Sequence, residues 1–316
     1  MSKITIIGAG NVGATLAYTL VSGGTSSEIV LMDVKKEKAM GEEMDIYQGT
    51  PFCPPVSIHV GDYEDAADSD IVVITCGMGR KPGQSRLDLT HTNVEIIKEI
   101  APKITKYAPD AIYIIISNPV DILTYVFTKV SGLPEHQIIG SGTILDTSRL
   151  RARLAQCLGV SQKNIHAYVF GEHGETAFVA WSLATVGSIS LDYYLSSIKD
   201  KEEMCGLPPF DMADIEGYVR TSGSKIIAAK GATFHAITIS AVHIIQSIYG
   251  NQNAMLPVST MLHGEYGIED VALSLLSIVD RSGLKTRILP PLTPNEIELL
   301  HKSADSLKDI IRQLNI

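Results

Sequence analysis

The sequence predicts an α/β fold, a doubly wound parallel sheet followed by a C-terminal α+β half, on three observations. Apolar runs of strand length alternate with longer helical patterns through the first half of the chain. A glycine turn separates the first run from the first helix. The alternation then stops near residue 143. The runs, 4–7, 29–32, 71–75 and 111–116, are rich in Ile and Val without polar alternation, as strands covered on both faces should be. Helical spacing fills 12–21, 36–47 and 91–107, and the helix over 119–130 opens on Pro119, a residue suited to a first helical turn. Beyond about 142 the expectation is long helices interrupted by one short strand, 166–170, so two domains are expected, 1–143 and 144–316. A last helix starts at Thr293-Pro294-Asn295-Glu296, with Thr as N-cap, Pro at N1 and Glu at N3, and its apolar positions are Ile297, Leu300, Leu307, Ile310 and Ile311.

At 316 residues the chain is about twice the usual domain length, and with 45% hydrophobic and 19% charged residues it has material for a sizeable core. The 35 acidic and 26 basic residues leave a formal charge of -9, a poor match to nucleic acid or an anionic membrane surface. Four cysteines, at 53, 76, 157 and 205, show no metal-ligand spacing, so reduced, mostly buried thiols and no metal are expected. Met1-Ser2-Lys3-Ile4 runs straight into a strand pattern, and no run of 18 uncharged apolar residues follows. A cytoplasmic protein without a membrane partner is expected.

Gly8-Ala9-Gly10-Asn11-Val12-Gly13 is a G-x-G-x-x-G placed after the first strand and at the mouth of the first helix. Gly8 permits a tight turn, Gly10 lets backbone approach a pyrophosphate, and Gly13 lets helix and strand pack closely. The helix start offers free N–H groups and a positive dipole end to the anion. Asp33 follows Gly13 by 20 residues, at the end of the second strand, where a carboxylate accepts from a ribose hydroxyl and repels a 2′-phosphate. NAD is expected over NADP. The lesser reading of Asp33 taken alone is an acidic strand-end residue pointing at water.

Three further segments read as one site: 76–89, with Arg80 and Arg86 on a loop of small residues, Leu145-Asp146-Thr147-Ser148-Arg149, and Gly171-Glu172-His173-Gly174-Glu175. The loop can close over an anionic ligand at the switch point of the sheet. Asp146 and Arg149 share a helical face, which also fits a plain intrahelical ion pair. His173, with glycine access and acidic neighbours, reads as a general acid and base.

Over its whole length the chain resembles the L-lactate and L-malate dehydrogenase family: the glycine turn, the loop, Ser117-Asn118-Pro119-Val120-Asp121, and the segments around Asp146 and His173 all match its motifs in order. The resemblance implies a Rossmann dinucleotide-binding domain ahead of a substrate and catalytic domain. It also implies that His173 exchanges the hydroxyl proton while Asp146 orients it, and that Arg149 clamps the substrate carboxylate. Arg86 would polarise the carbonyl and Asn118 would hold the substrate oxygen and the nicotinamide end. By the same resemblance Thr233 lines the substrate pocket, Tyr63 the adenine side, and Cys76, Gly77 and Ser117 the cofactor.

Most segments are similar to the lactate branch, which implies reduction of pyruvate to L-lactate. Arg80 departs from it. The lactate type usually has glutamine there, whereas the malate type has arginine to meet a second carboxylate, so oxaloacetate is the alternative substrate, and a solvated loop arginine the bland one. Bacterial relatives of the lactate type carry a fructose 1,6-bisphosphate site at a subunit interface, matched here by Arg151 and His166; a buried structural His166 reads as well. A homo-oligomer, dimer or tetramer, is implied. An NAD-requiring glycosidase would need a Cys and His metal set, and a dinucleotide sensor would have no use for His173, Asp146, Arg149 and Arg86 together.

Overall fold

The computed structural model describes residues 2–79, 86–198 and 206–314. Arg80, Cys205 and the Arg86 side chain lie outside the described residues. In chain order the elements are β1 (Lys3–Ile7), α1 (Asn11–Gly23), β2 (Glu28–Met32), α2 (Lys36–Gly49), β3 (Ser57–Val60), β4 (Ile71–Ile74), α3 (Arg86–Tyr107), β5 (Ile112–Ile115), α4 (Val120–Ser131) and β6 (Ile138–Gly140). The second half continues with α5 (Ile144–Leu158), β7 (Ile165–His166), β8 (Val169–Phe170), β9 (Phe178–Val179), β10 (Thr185–Val186), β11 (Ile189–Ser190) and α6 (Leu191–Ser197). It closes with α7 (Met212–Lys230), α8 (His235–Tyr249), β12 (Ala254–Glu265), β13 (Ile268–Asp280), β14 (Gly283–Arg287) and α9 (Pro294–Gln313).

One large sheet runs β14-β13-β12-β6-β5-β4-β1-β2-β3. Its parallel part reads 3-2-1-4-5-6, so the chain reverses direction between β1 and β4 and opens a crevice at their carboxyl ends. Alternate residues of each strand serve opposite faces. Ile71, Val73, Ile112 and Ile114 pack with Leu16 and Leu20 of α1 and Ile244, Ile245 and Ile248 of α8. Val72, Ile74, Tyr113 and Ile115 pack on the other side with Ile97 and Ile104 of α3, Leu123 of α4 and Leu300 and Leu307 of α9. Both faces are dry, which explains the unbroken apolar runs.

The sequence missed the sheet's far edge. Residues 254–287, expected to belong to a helical half, form β12, β13 and β14, antiparallel strands that extend the N-terminal sheet beyond β6. Most of β12 and β13 is buried on both faces, so no polar alternation marks them as strands. Their turn is carried by Tyr266 and Gly267, both with positive φ. A second difference concerns Pro119, which is the extended N-cap residue of α4 and not its first helical residue.

At α9 the capping box is as expected: Thr293 Oγ1 accepts the Glu296 N–H at 3.3 Å, and Glu296 Oε2 accepts the Thr293 N–H at 2.8 Å. Glu296 also holds Ser182, through its N–H at 3.0 Å and its hydroxyl at 2.6 Å. Thr293→Ala is expected to cost about 1 kcal/mol of stability, read as a lower denaturant midpoint at unchanged slope. An unmoved midpoint would show that the cap does not hold α9.

Candidate active site

Two glycines of the first turn are sterically compelled. A Cβ on Gly13 would lie 1.8 Å from the Gly8 carbonyl oxygen, and one on Gly8, whose φ is +112°, would lie 2.7 Å from the Cys76 nitrogen. Gly10 differs, because a Cβ there would meet nothing among the described residues within 4 Å. That open space leaves room for an anion against the backbone. Gly10 caps α1 with no side-chain hydrogen bond, so the first N–H groups, from Asn11 and Val12 onward, stay available to an anion. Asp33 is half-buried and reaches this loop: Oδ2 accepts the Ala9 N–H at 2.7 Å and Oδ1 the Lys35 N–H at 2.8 Å. These features fit a dinucleotide.

Cys76 and Gly77 follow β4 on the other side of the switch point. The buried Ser117 hydroxyl donates to the Cys76 carbonyl, and Asn93 Nδ2 donates to the Asn118 carbonyl at 2.8 Å. The two loops are thereby tied together. Burial pushes the Cys76 thiol up to about 12, which leaves it protonated and unreactive. Of the described thiols Cys157 is buried outright, and Cys53 and Cys76 are half-buried against the core. Tyr63 follows β3 in a single 3₁₀ turn, with the Lys103 ammonium 5.9 Å from its ring centre.

His173 and Asp146 meet Arg149, Asn118, Thr233 and Val12 in the lining of a cavity of about 400 Å³, with Leu145, Ile237 and other apolar side chains between them. His173 Nδ1 lies 2.5 Å from Asp146 Oδ2, and Arg149 donates from one terminal nitrogen to Asp146 Oδ1 at 2.8 Å. The intrahelical ion pair that the spacing allowed is therefore real, and it is also one arm of the site. Gly223 of α7 borders the guanidinium: a Cβ there would stand 3.5 Å from Arg149.

Local folding explains the alignment. The start of α5 is pinned to β8, with the Thr143 hydroxyl donating to the Val169 carbonyl at 2.5 Å and the Thr147 hydroxyl accepting the Val169 N–H at 2.9 Å. Past β8, Gly171 bridges Ser274 of β13, and the Glu172 N–H donates to the Ser303 hydroxyl of α9 at 2.6 Å. His173 itself donates its backbone N–H to Asp121 Oδ2 at 2.7 Å. Sequence reading left Ser303, Gly223 and Asp121 without a role. Ser303 and Gly223 carry no local signal, since each acts on a segment far away in the chain.

Electrostatics follow from the geometry. Asp146's charge is the main force raising His173 above its ordinary value, against the opposing effect of burial; their hydrogen bond and Asp121 add to the rise, and Arg149 opposes it. Burial pushes Asp146 up, but the His173 charge and hydrogen bond and the Arg149 pair together outweigh it and hold the carboxyl below its ordinary range. The carboxylate stays ionised.

Arg151 and His166 do not line this cavity. Arg151 lies over the Tyr168 ring, 5.0 Å from its centre, and donates to the Ala167 carbonyl at 3.1 Å. His166 is exposed on β7, which overturns the reading of a buried structural histidine. Short antiparallel strands expose alternate residues, and only Ile165 faces inward there.

Residues 2–140 match the lactate/malate dehydrogenase NAD binding domain, and residues 143–315 match the alpha/beta C-terminal domain of lactate/malate dehydrogenases. The chain belongs to that family. The dehydrogenase is 45% identical to the L-lactate dehydrogenase of Acetivibrio thermocellus, over 100% of this chain and 98% of that one. It is 43% identical to the L-lactate dehydrogenase of Thermoanaerobacterium saccharolyticum, over the full length of both. Among solved structures it is similar to a lactate dehydrogenase from a Medee basin deep-sea metagenome library, with a TM-score of 0.94 and 38% identity over 100% of this chain and 99% of that one. The minor L-lactate dehydrogenase of Enterococcus mundtii, in a ligands-bound form, has a TM-score of 0.92 and 38% identity, over 99% and 98%. The enzyme is thus an NAD-dependent 2-hydroxy acid dehydrogenase. No helix among the described residues is long and apolar enough to cross a membrane.

Gly13→Ala is expected to weaken NADH binding by tenfold or more, roughly, because the methyl group displaces the Gly8 carbonyl from the cradle. NADH fluorescence titration measures it. Parental affinity would mean that the turn does not hold the cofactor.

Proposed function

We propose that the enzyme is an L-lactate dehydrogenase, catalysing the reversible reduction of pyruvate to L-lactate. The observation that carries this reading is the 2.5 Å contact between His173 Nδ1 and Asp146, set in a cavity shared with Arg149, Asn118 and Thr233. The full-length relatives named above favour lactate over malate. When bound, NADH supplies the hydride.

The chain supplies the remainder. With Nδ1 donating to Asp146, Nε2 is the atom that gives its proton to the substrate oxygen during reduction and takes it back during oxidation. Asp146 stabilises the imidazolium and fixes the ring's direction. Arg149 gives one donor to Asp146 and keeps the rest of its planar fork for the substrate carboxylate, a contact lysine would not reproduce. Asn118 and Thr233 contribute polar groups to the cavity wall, and Arg86, at the start of α3, is assigned to the carbonyl. The apolar walls strengthen these charges by excluding water.

A sugar bisphosphate is the proposed effector at Arg151 and His166, supported by an arginine oriented by Tyr168 beside a solvent-facing histidine, both away from the cavity. A homo-oligomer is supported by the exposed Met40, Met44 and Tyr47, which share one face of α2.

Three outcomes are expected. Steady-state NADH oxidation should favour pyruvate over oxaloacetate by roughly tenfold or more in kcat/KM, with Arg80→Gln widening the gap; a parent faster on oxaloacetate, reversed by the substitution, defeats the lactate reading. His173→Asn should lower kcat by roughly 10²–10⁴ while NADH still binds. Because His173 must be protonated for reduction and neutral for oxidation, and Asp146 raises it above an ordinary imidazole, pyruvate reduction should persist to higher pH than an ordinary imidazole would allow and fall as the pH rises further, while lactate oxidation climbs. Assays with and without fructose 1,6-bisphosphate test the effector site.

A further inference from the structure

We propose that Asp121 is a positioning residue of the proton relay, a carboxylate that grips the His173 backbone and sets a second negative charge near the ring. The inference rests on the reading of His173 as the proton carrier. Asp121 stands in the first turn of α4, three residues past Asn118. Its Oδ2 accepts the His173 N–H at 2.7 Å, whereas Asp146 meets the ring at Nδ1. One carboxylate orients the imidazole and the other fixes the backbone on which it is mounted. The segment carrying Asn118 and the segment carrying His173 are thereby held in one register.

Asp121 is only 2% exposed, and its Oδ1 has no hydrogen-bond partner of good geometry among the described residues. A buried, half-satisfied carboxylate is costly. Asparagine would offer the same acceptor with no charge to bury, so what aspartate adds is its charge. The groups facing it are His173 and Glu172 of the loop that follows β8 and the Ser259 hydroxyl of β12; those facing His173 are Asp146 and Arg149 of α5 together with Asp121. Burial pushes the Asp121 carboxyl up to about 6; the Ser259 hydroxyl and the N–H and charge of His173 hold it back, and Glu172 adds to the rise. At neutral pH it is therefore mainly ionised, and its charge favours the imidazolium. Below about 6 that influence fades as the carboxyl takes up its proton.

The test compares Asp121→Asn with the parent in the full-length enzyme. The readouts are kcat/KM for pyruvate reduction by NADH across pH and the ring titration of His173 by NMR. The asparagine keeps the acceptor and removes the charge. It is expected to move the alkaline limb and the ring titration together to lower pH by roughly half to one unit, the two profiles converging at acid pH. An unmoved limb and ring titration overturns the inference. Asp121→Leu, of similar bulk with no acceptor, orphans the His173 N–H and should lower kcat roughly tenfold while the KM for NADH holds; parental kcat there counts against the grip on the backbone. If the leucine variant does not fold, the asparagine profile decides. Failure of the underlying reading is distinguishable, since it would show as near-parental turnover in His173→Asn whatever the Asp121 variants do.

Discussion

The contact between Asp146 and His173 is the constraint that the rest of the structure serves. A carboxylate 2.5 Å from an imidazole is useful only if neither partner can turn away. Each is mounted on a different segment: Asp146 on the first turn of α5, His173 on a loop that ends a two-residue strand. Thr143 and Thr147 fasten the first to the second through both polar groups of Val169. Ser274, Ser303 and Asp121 then hold the loop from β13, α9 and α4. Hydrogen bonds made by buried hydroxyls and strand backbone, and accepted by a buried carboxylate, are directional, and in a low-dielectric interior each is expensive to break.

The pair also shapes the charge of the cavity. Asp146 lies between a histidine and an arginine, so its burial is compensated on both oxygens. A buried carboxylate with one partner would drift towards neutrality; with two it stays ionised and keeps the imidazole basic. The i, i+3 spacing of Asp146 and Arg149 thus combines a local helical pair with a nonlocal one. The contrast with Asp121 is instructive, because there one oxygen lacks a well-placed partner among the described residues and burial pushes the carboxyl up to about 6.

Legibility varied with the kind of physics involved. The parallel strands were readable because a strand buried on both faces is an unbroken apolar run between glycine turns, and 4–7, 29–32, 71–75 and 111–116 coincide with β1, β2, β4 and β5 to within a residue. The capping box at Thr293 was readable because all its partners lie within four residues. The same apolar continuity hid β12 and β13, since without polar alternation a long buried strand and a buried helix look alike. β3 went unseen because Ser57 and His59 interrupt its apolar run, and β6 because it spans only three residues. The exposure of His166 stayed open because a two-residue strand is too short for its pattern to tell which face is covered.

By itself the sequence determined the switch-point crevice, the glycine cradle and the set of charged side chains, because each is written in residues close together along the chain. Only the tertiary structure decided which groups surround the imidazole. Asp121, Asp146 and Ser303 reach the loop around His173 from helices that are separate in sequence and meet only when the sheet is covered on both faces. Contacts of that kind arise from burial and strand order, which set distances that spacing along a chain does not encode.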